Sequence, residues 1–354
     1  MLDDAIPLAE VRRVLVIKLR HHGDVLLTSP VFNTLKAALP ASEIDALVYA
    51  DTRQMLEGHP AIAQLHGIVR GKKRSLWDEI CTEWRLLRTL KQRRYDLVVH
   101  LTDHPRGGWM TRLMAPRWAV APKRKGRFWK RTFTHQFSLP RQANRHTVEK
   151  NLDALRRIGL HPRDQDKRLC MVPGAAAEQR VGQLLAEHGV SDSFIHLHPA
   201  SRWFFKCWPS ERMAELVDAL GADGHNIVVT GAPDARERAM IAEIRARSTA
   251  AWVDLSAQLS LREMAALSAR ARLFVGVDSA PMHIAAAVGT SVVALFGPSG
   301  ELEWAPWGGQ HRIVSSDQHT CRPCGMDGCG GSKVSDCLVT LPVARVLAAC
   351  RQLL

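Results

Sequence analysis

No run of about 18 apolar residues occurs in this 354-residue chain, so no bilayer-spanning helix is expected. The opening residues, MLDDAIPLAEVRR, are acidic and lack the apolar core of a secretory signal, so the expected location is the cytosol. No G-x-G-x-x-G follows any apolar run, which argues against an ordinary dinucleotide enzyme. No internal sequence repeat is evident. Nor do the eight cysteines form two regular C-x-x-C knuckles. Cys81, Cys170, Cys207 and Cys350 are scattered and read as core or neutral positions. The others form a Gly-rich cluster, Cys321-x2-Cys324-x4-Cys329-x7-Cys337. That cluster has two readings, a structural metal site or reduced loop thiols in a reducing compartment.

What is present points to a globular enzyme of two domains. The length allows two cores, and 46% hydrophobic with 23% charged residues is ordinary for a soluble fold. Charge is unevenly spread. Residues 1–174 hold 32 Lys and Arg against 17 Asp and Glu, a net +15, and the remainder holds 16 against 18, a net −2. A basic first half implies an anionic partner: nucleic acid, an anionic membrane surface or a phosphorylated substrate.

Residues 14–30, VLVIKLRHHGDVLLTSP, set the pattern. Val14 to Leu19 is apolar but for Lys18, as in a buried parallel strand. Arg20-His21-His22-Gly23-Asp24 breaks it, with Gly23 expected to allow a close turn, and a helical pattern follows. In an open α/β sheet this first loop lines the ligand crevice. Asp24 therefore has two readings, a helix N-cap or a general base aimed into the crevice. Strands are expected at 44–49, 66–69, 95–101 and 118–120. A long amphipathic helix is expected over 76–91, with Leu76, Ile80, Leu87 and Leu90 near one face. The alternation specifies a parallel, doubly wound sheet. Residues 122–135, PKRKGRFWKRTFTH, carry Lys123, Arg124, Lys125, Arg127, Lys130 and Arg131 with Phe128, Trp129 and Phe133 interleaved. The stretch suits an anionic contact: nucleic acid, a membrane surface or a phosphorylated acceptor.

After a hinge at Pro173-Gly174 the rhythm restarts, with strands at 194–198, 226–230, 273–277 and 291–296 and a last helix over 341–354. Asp278-Ser279-Ala280-Pro281 caps a helix after the third of these strands and makes an anion site. Gly297-Pro298-Ser299 adds backbone donors, and Lys206 lies on a loop at the same edge, as for a diphosphate. Asp278 as a plain cap and His283 as a satisfied core histidine remain open.

The segments LVIKLRHHGDVLLTSP, HPASRWFFKCWP, GAPD and LFVGVDSAPMHIAAAVGTSVVALFGPS, in this order, resemble the ADP-heptose:lipopolysaccharide heptosyltransferases, glycosyltransferase family 9. HHGDVLLTSPV, HLTDHP, FKCW and GVDSAPMHIAAAV are most similar to the branch that adds the third, side-branch heptose. The other two heptosyltransferase branches and a nucleotide-sugar epimerase are the alternatives. The resemblance implies an α/β GT-B fold, two Rossmann-like doubly wound domains facing a cleft. It implies an acceptor domain at 1–174, a donor domain at 175–338, and a helix at 339–354 packing back on the first. It implies an inverting transfer with no metal and no cofactor beyond the ADP-heptose donor. Asp24 matches the catalytic base. Lys206, Ser201, Asp234, Asp278, Ser279, Ala280, His283 and Gly297 match the donor side, with Glu237 the alternative to Asp234 at the ribose. Arg20, His21, Arg124, Lys125, Arg127 and Lys130 match the acceptor side. The implied partner is a phosphorylated lipopolysaccharide inner core at the cytoplasmic membrane face, with no nucleic acid and a monomeric enzyme.

Overall fold

In the computed structural model, residues 4–70, 76–139, 145–190 and 193–354 are described. The chain divides into two compact units, Met1–Cys170 and Met171–Leu354. The boundary lies a few residues before the expected hinge at Pro173-Gly174.

The first unit is one six-stranded parallel sheet in the order β3-β2-β1-β4-β5-β6. Its strands are β1 (Arg13–Lys18), β2 (Glu43–Tyr49), β3 (Gln64–Ile68), β4 (Leu97–His100), β5 (Trp118–Pro122) and β6 (His135–Phe137). Val14 to Lys18 are buried in β1, which pairs with β2 on one side and β4 on the other. The helices are α1 (His22–Leu26), α2 (Ser29–Ala38), α3 (Leu76–Gln92), α4 (Pro105–Met114), α5 (Arg127–Thr132) and α6 (Thr147–Arg156). Right-handed crossovers place α3, α4 and α5 on one face of this strand order and α2 and α6 on the other.

The second unit repeats the order with its own strands, β12-β11-β10-β7-β8-β9. These are β7 (Phe194–His198), β8 (Asn226–Val229), β9 (Val253–Asp254), β10 (Leu273–Val277), β11 (Ser291–Phe296) and β12 (His311–Ser315). Its helices are α7 (Ala175–Glu187), α8 (Ser210–Ala222), α9 (Ala235–Arg247), α10 (Leu261–Arg270), α11 (Ala280–Ala287), α12 (Glu301–Trp304), α13 (Asp336–Val339) and α14 (Val343–Arg351). No helix among the described residues is long and apolar enough to cross a membrane.

The last helix belongs to the second unit. Val346, Ala349 and Cys350 of α14 are buried in the second unit's core, against α8, β11 and β12, and Trp208 Nε1 donates to Leu341 O at 3.1 Å just before it. Apolar burial on its own unit's sheet holds it there. Two expectations are corrected. Gly23, expected to allow a close turn in the loop, lies inside α1, which begins one residue earlier. The expected apolar face of α3 is also split. Leu86 and Leu90 face the core, whereas Ile80 is exposed, and the side chain of Leu76 lies outside the described residues.

Candidate active site

Each sheet of this strand order has one switch point, where the chain reverses direction of addition and the strand ends splay to leave a crevice. In the first unit that point lies between β1 and β4. Asp24 follows β1 in the first turn of α1, where a carboxylate is favoured by the helix dipole. His21, not Asp24, occupies the N-cap position, so the cap reading of Asp24 fails. The helix stops after Leu26. Thr28 donates its hydroxyl to Val25 O at 2.6 Å, and Pro30, with no N–H to give, opens α2 instead of extending α1.

Below Asp24, Lys18 Nζ donates to Asn151 Oδ1 of α6 at 3.0 Å, and Asn151 Nδ2 donates to Leu27 O at 3.0 Å. Both side chains are buried. Burial pushes the Lys18 ammonium down to about 8, while the Asp24 carboxylate opposes that shift. A buried amine beside the proposed base is a feature the sequence reading did not include. The signal was a single lysine inside an apolar strand; Asn151, 133 residues away, left none.

Around this point the loops after successive strands are tied together. Arg20 reaches Asp103 Oδ1 at 3.5 Å, Arg124 donates to Asp103 O at 2.7 Å, and Arg70 donates to Arg20 O at 2.5 Å. The Arg70 guanidinium lies 3.7 Å from the centre of the Tyr49 ring. The His104 ring caps α4 by accepting from Arg106 N at 3.2 Å, and burial holds its pKa below the usual range. Of the expected acceptor residues, Arg20, His21, Arg124, Lys125, Arg127 and Lys130 are all exposed, and Arg20 and Arg124 meet at Asp103. The interleaved aromatics of 122–135 do something other than stack on a ligand. Trp129 and Phe133 are buried against His100, and Trp129 Nε1 donates to Pro122 O at 2.8 Å. Only Phe128 is partly exposed, packed on Trp109.

The second unit's switch point lies between β7 and β10. There Lys206 Nζ donates to Asp278 Oδ2 at 2.6 Å. Lys206 closes the short turn Phe204–Lys206 after β7, and Asp278 is buried directly after β10. Two strand-end loops are thereby joined at one cation. The ammonium has three protons; Asp278 takes one and two remain for another anion. Ser279 is the N-cap residue of α11 and donates to Val277 O at 3.2 Å, leaving the first-turn amides of Ala280 onward without a side-chain cap. Ser201 is buried, with its hydroxyl accepting from Trp203 N at 3.3 Å and its own N–H on Cys207 Sγ at 3.2 Å. His283 is buried one turn into α11.

Three of the expected donor-side positions carry structural work. Asp234 caps α9, one oxygen accepting from Arg236 N at 2.9 Å and Glu237 N at 3.3 Å. Glu237 is buried and accepts from Ala232 N at 2.7 Å, and burial raises its pKa. Gly297 O accepts from Arg322 Nε at 2.7 Å, and a Cβ on Gly297 would lie 2.6 Å from Leu338 Cδ1. Its glycine character serves that packing.

In the Cys-rich loop, Cys337 is buried with its thiol pushed up by burial, and Asp336 N–H points at Cys329 Sγ at 3.4 Å. Among the described residues no group of three or more His, Cys, Asp or Glu is placed to hold a metal ion.

Two Rossmann-like units, one with a carboxylate and one with a lysine-bearing anion crevice at the switch point, are the arrangement of a GT-B glycosyltransferase. A family model for glycosyltransferase family 9 (heptosyltransferase) matches residues 83–334. Lipopolysaccharide heptosyltransferase 3 of Escherichia coli is 36% identical over 293 residues, covering 82% of this chain and 84% of that protein. Among solved structures, the family 9 glycosyl transferase of Veillonella parvula superposes with a TM-score of 0.85 at 21% identity over 99% of both chains. E. coli ADP-heptose lps heptosyltransferase II gives 0.75 at 21% identity, over 96% of this chain and 98% of that one. The chain belongs to glycosyltransferase family 9, the heptosyltransferases of lipopolysaccharide core synthesis.

Proposed function

We propose that the chain adds the third, branch heptose to the second heptose of the lipopolysaccharide inner core, from ADP-L-glycero-D-manno-heptose. The observation that carries the donor half is the Lys206–Asp278 pair at the second switch point. The 36% identity to a heptosyltransferase 3 supports the acceptor half.

The chemistry proposed is a single displacement with inversion. Asp24 takes the proton of the acceptor hydroxyl as that oxygen attacks the anomeric carbon. The bond from that carbon to the β-phosphate oxygen breaks, and ADP leaves with the electron pair from the opposite face. Lys206, aimed by Asp278, neutralises the charge that develops on the diphosphate, and the free amides at the start of α11 add donors. Ser201 and His283 shape the donor pocket, and Asp234 or Glu237 meets the ribose. Arg20, His21, Arg124, Lys125, Arg127 and Lys130 hold the acceptor's phosphates and carboxylates. No metal and no cofactor beyond the donor takes part. The enzyme acts as a monomer at the cytoplasmic face of the membrane, where a glycolipid acceptor is anchored, and not on nucleic acid.

The test is transfer from ADP-heptose to core glycolipids of increasing length. Product only with an acceptor already bearing two heptoses is the expected result. Product with a heptose-free acceptor overturns the branch assignment.

A further inference from the structure

We infer that the outer face of α3 and α4, with the basic turn into α5, docks the first unit on an anionic membrane surface. The inference deepens the proposed function, because it gives the glycolipid acceptor's bilayer a place on the protein.

Three of the four large, exposed tryptophans lie here. Trp77 is 76% exposed, Trp84 66% and Trp109 56%, joined by Ile80 and Leu113. On α3, Trp77, Ile80 and Trp84 recur at helical spacing and continue as Arg88 and Lys91. The stripe lies opposite Leu86 and Leu90, which face the core. The side presented to solvent is therefore apolar in the first half of the helix and cationic in the second. α4 packs beside it, fixed by the Arg106–Glu83 ion pair, which brings Trp109 and Leu113 alongside. Trp109 stacks on Phe128 with centroids 4.3 Å apart, which carries the face on to α5.

Between the helices lies an open cavity of about 1060 Å³ lined by Trp84, Leu87, Arg88, Lys91, Leu113 and Met114. Arg85 and Arg94 also line it, and its one acid, Asp96, accepts from the Arg12 and Arg13 amides, so apolar side chains and cations together suit a hydrocarbon segment ending in an anionic headgroup. Arg85, Arg88, Lys91, Arg112, Arg127, Lys130 and Arg131 surround the apolar residues, all exposed. Asp78 is an exposed acid on the same helix, and Glu83 is spent on Arg106.

Charge decides the occupant. An amphipathic helix with tryptophan on one side and Lys and Arg at its border lies in the interfacial plane, the cations reaching headgroup phosphates. A second copy of this chain on the same face would set one basic row against another in a two-fold contact.

The experiment is flotation of the full chain with vesicles of equal parts phosphatidylglycerol and phosphatidylcholine, and with pure phosphatidylcholine. Wild type is expected to float with the anionic vesicles only and to be released by salt. The pair Trp77→Ser with Trp84→Ser, and the pair Arg88→Glu with Lys91→Glu, should each lower partition about tenfold or more. Both pairs lie on the surface, and unchanged circular dichroism shows that they fold. With acceptor embedded in vesicles their KM should rise, while with a deacylated, water-soluble acceptor their rate should equal wild type. Equal flotation of wild type and variants overturns the proposal. So does a concentration-dependent dimer in light scattering that the variants abolish, which makes the face a self-interface. Flotation is read without turnover, so it stands even if the heptose assignment fails.

Discussion

The two units share a strand order and differ in almost everything their loops do. The first has a net charge of +15 over residues 1–174 and ties its crevice loops with arginines, Arg20 and Arg124 on Asp103 and Arg70 on Arg20 O. The second is nearly neutral and places one lysine, Lys206, on a buried aspartate. A common scaffold thus carries two kinds of crevice loop: a many-armed basic rim in the first unit, and a single cation on a buried aspartate in the second. Strand order fixes where a crevice forms, and loop residues fix what enters it.

The sharpest way to break this comparison is to disable each unit separately. Asp24→Ala should lower kcat by about 10²–10⁴, the size of a general base, with ADP affinity unchanged by calorimetry. Loss of ADP binding would assign Asp24 to the donor. Lys206→Ala should lower kcat/KM by about 10- to 100-fold and weaken ADP, because one charge-assisted contact to the leaving group disappears. Unaltered ADP affinity would make the Lys206–Asp278 pair a structural tie.

A pH experiment separates the units again. Lys18 is held near 8 in the fold against 10.5 when unfolded, so between those values the unfolded chain binds the extra proton. Stability of the first unit should therefore rise with pH from about 8 to 10.5, by up to about 3 kcal/mol, and be flat below 8. Urea unfolding of Lys18→Met should lose that rise; if the rise persists, the ammonium is not the group responsible. The smallest effect belongs to Asp234→Ala, which removes a cap and should cost about 1 kcal/mol in thermal unfolding. A donor KM unchanged within about threefold leaves the ribose contact to Glu237, since tenfold is about 1.4 kcal/mol.

Sequence pattern reached the sheets well where strands were long and buried, as with β1, β2, β10 and β11. It missed β6, β9 and β12. The first two have 3 and 2 residues, too few to show a period, and β12 is exposed at a sheet edge. Loop positions such as Asp24, Lys206 and Asp278 were legible because they follow recognisable strands. Their partners were not. Asn151 on Lys18, Arg70 on Tyr49 and Arg322 on Gly297 are pairings between distant stretches, and local pattern carries no information on them. Which core receives α14 was not legible for the same reason, since an amphipathic segment shows that it has an apolar face and not where that face is buried.

The Cys-rich loop has a further consequence. Arg322 grips Gly297 O and Ser316 O, Leu338 fills the space that Gly297 leaves open, and Ser335 donates its hydroxyl to Phe205 O at 2.6 Å. Phe205 is the neighbour of Lys206. The loop is thus pinned at both ends to the segments that frame the second unit's crevice, and it behaves as a measured spacer. Insertions or deletions among descendants of this sequence should gather in its exposed middle, around Gly325–Asp327 and Gly330–Lys333, and be purged near Arg322 and Ser335.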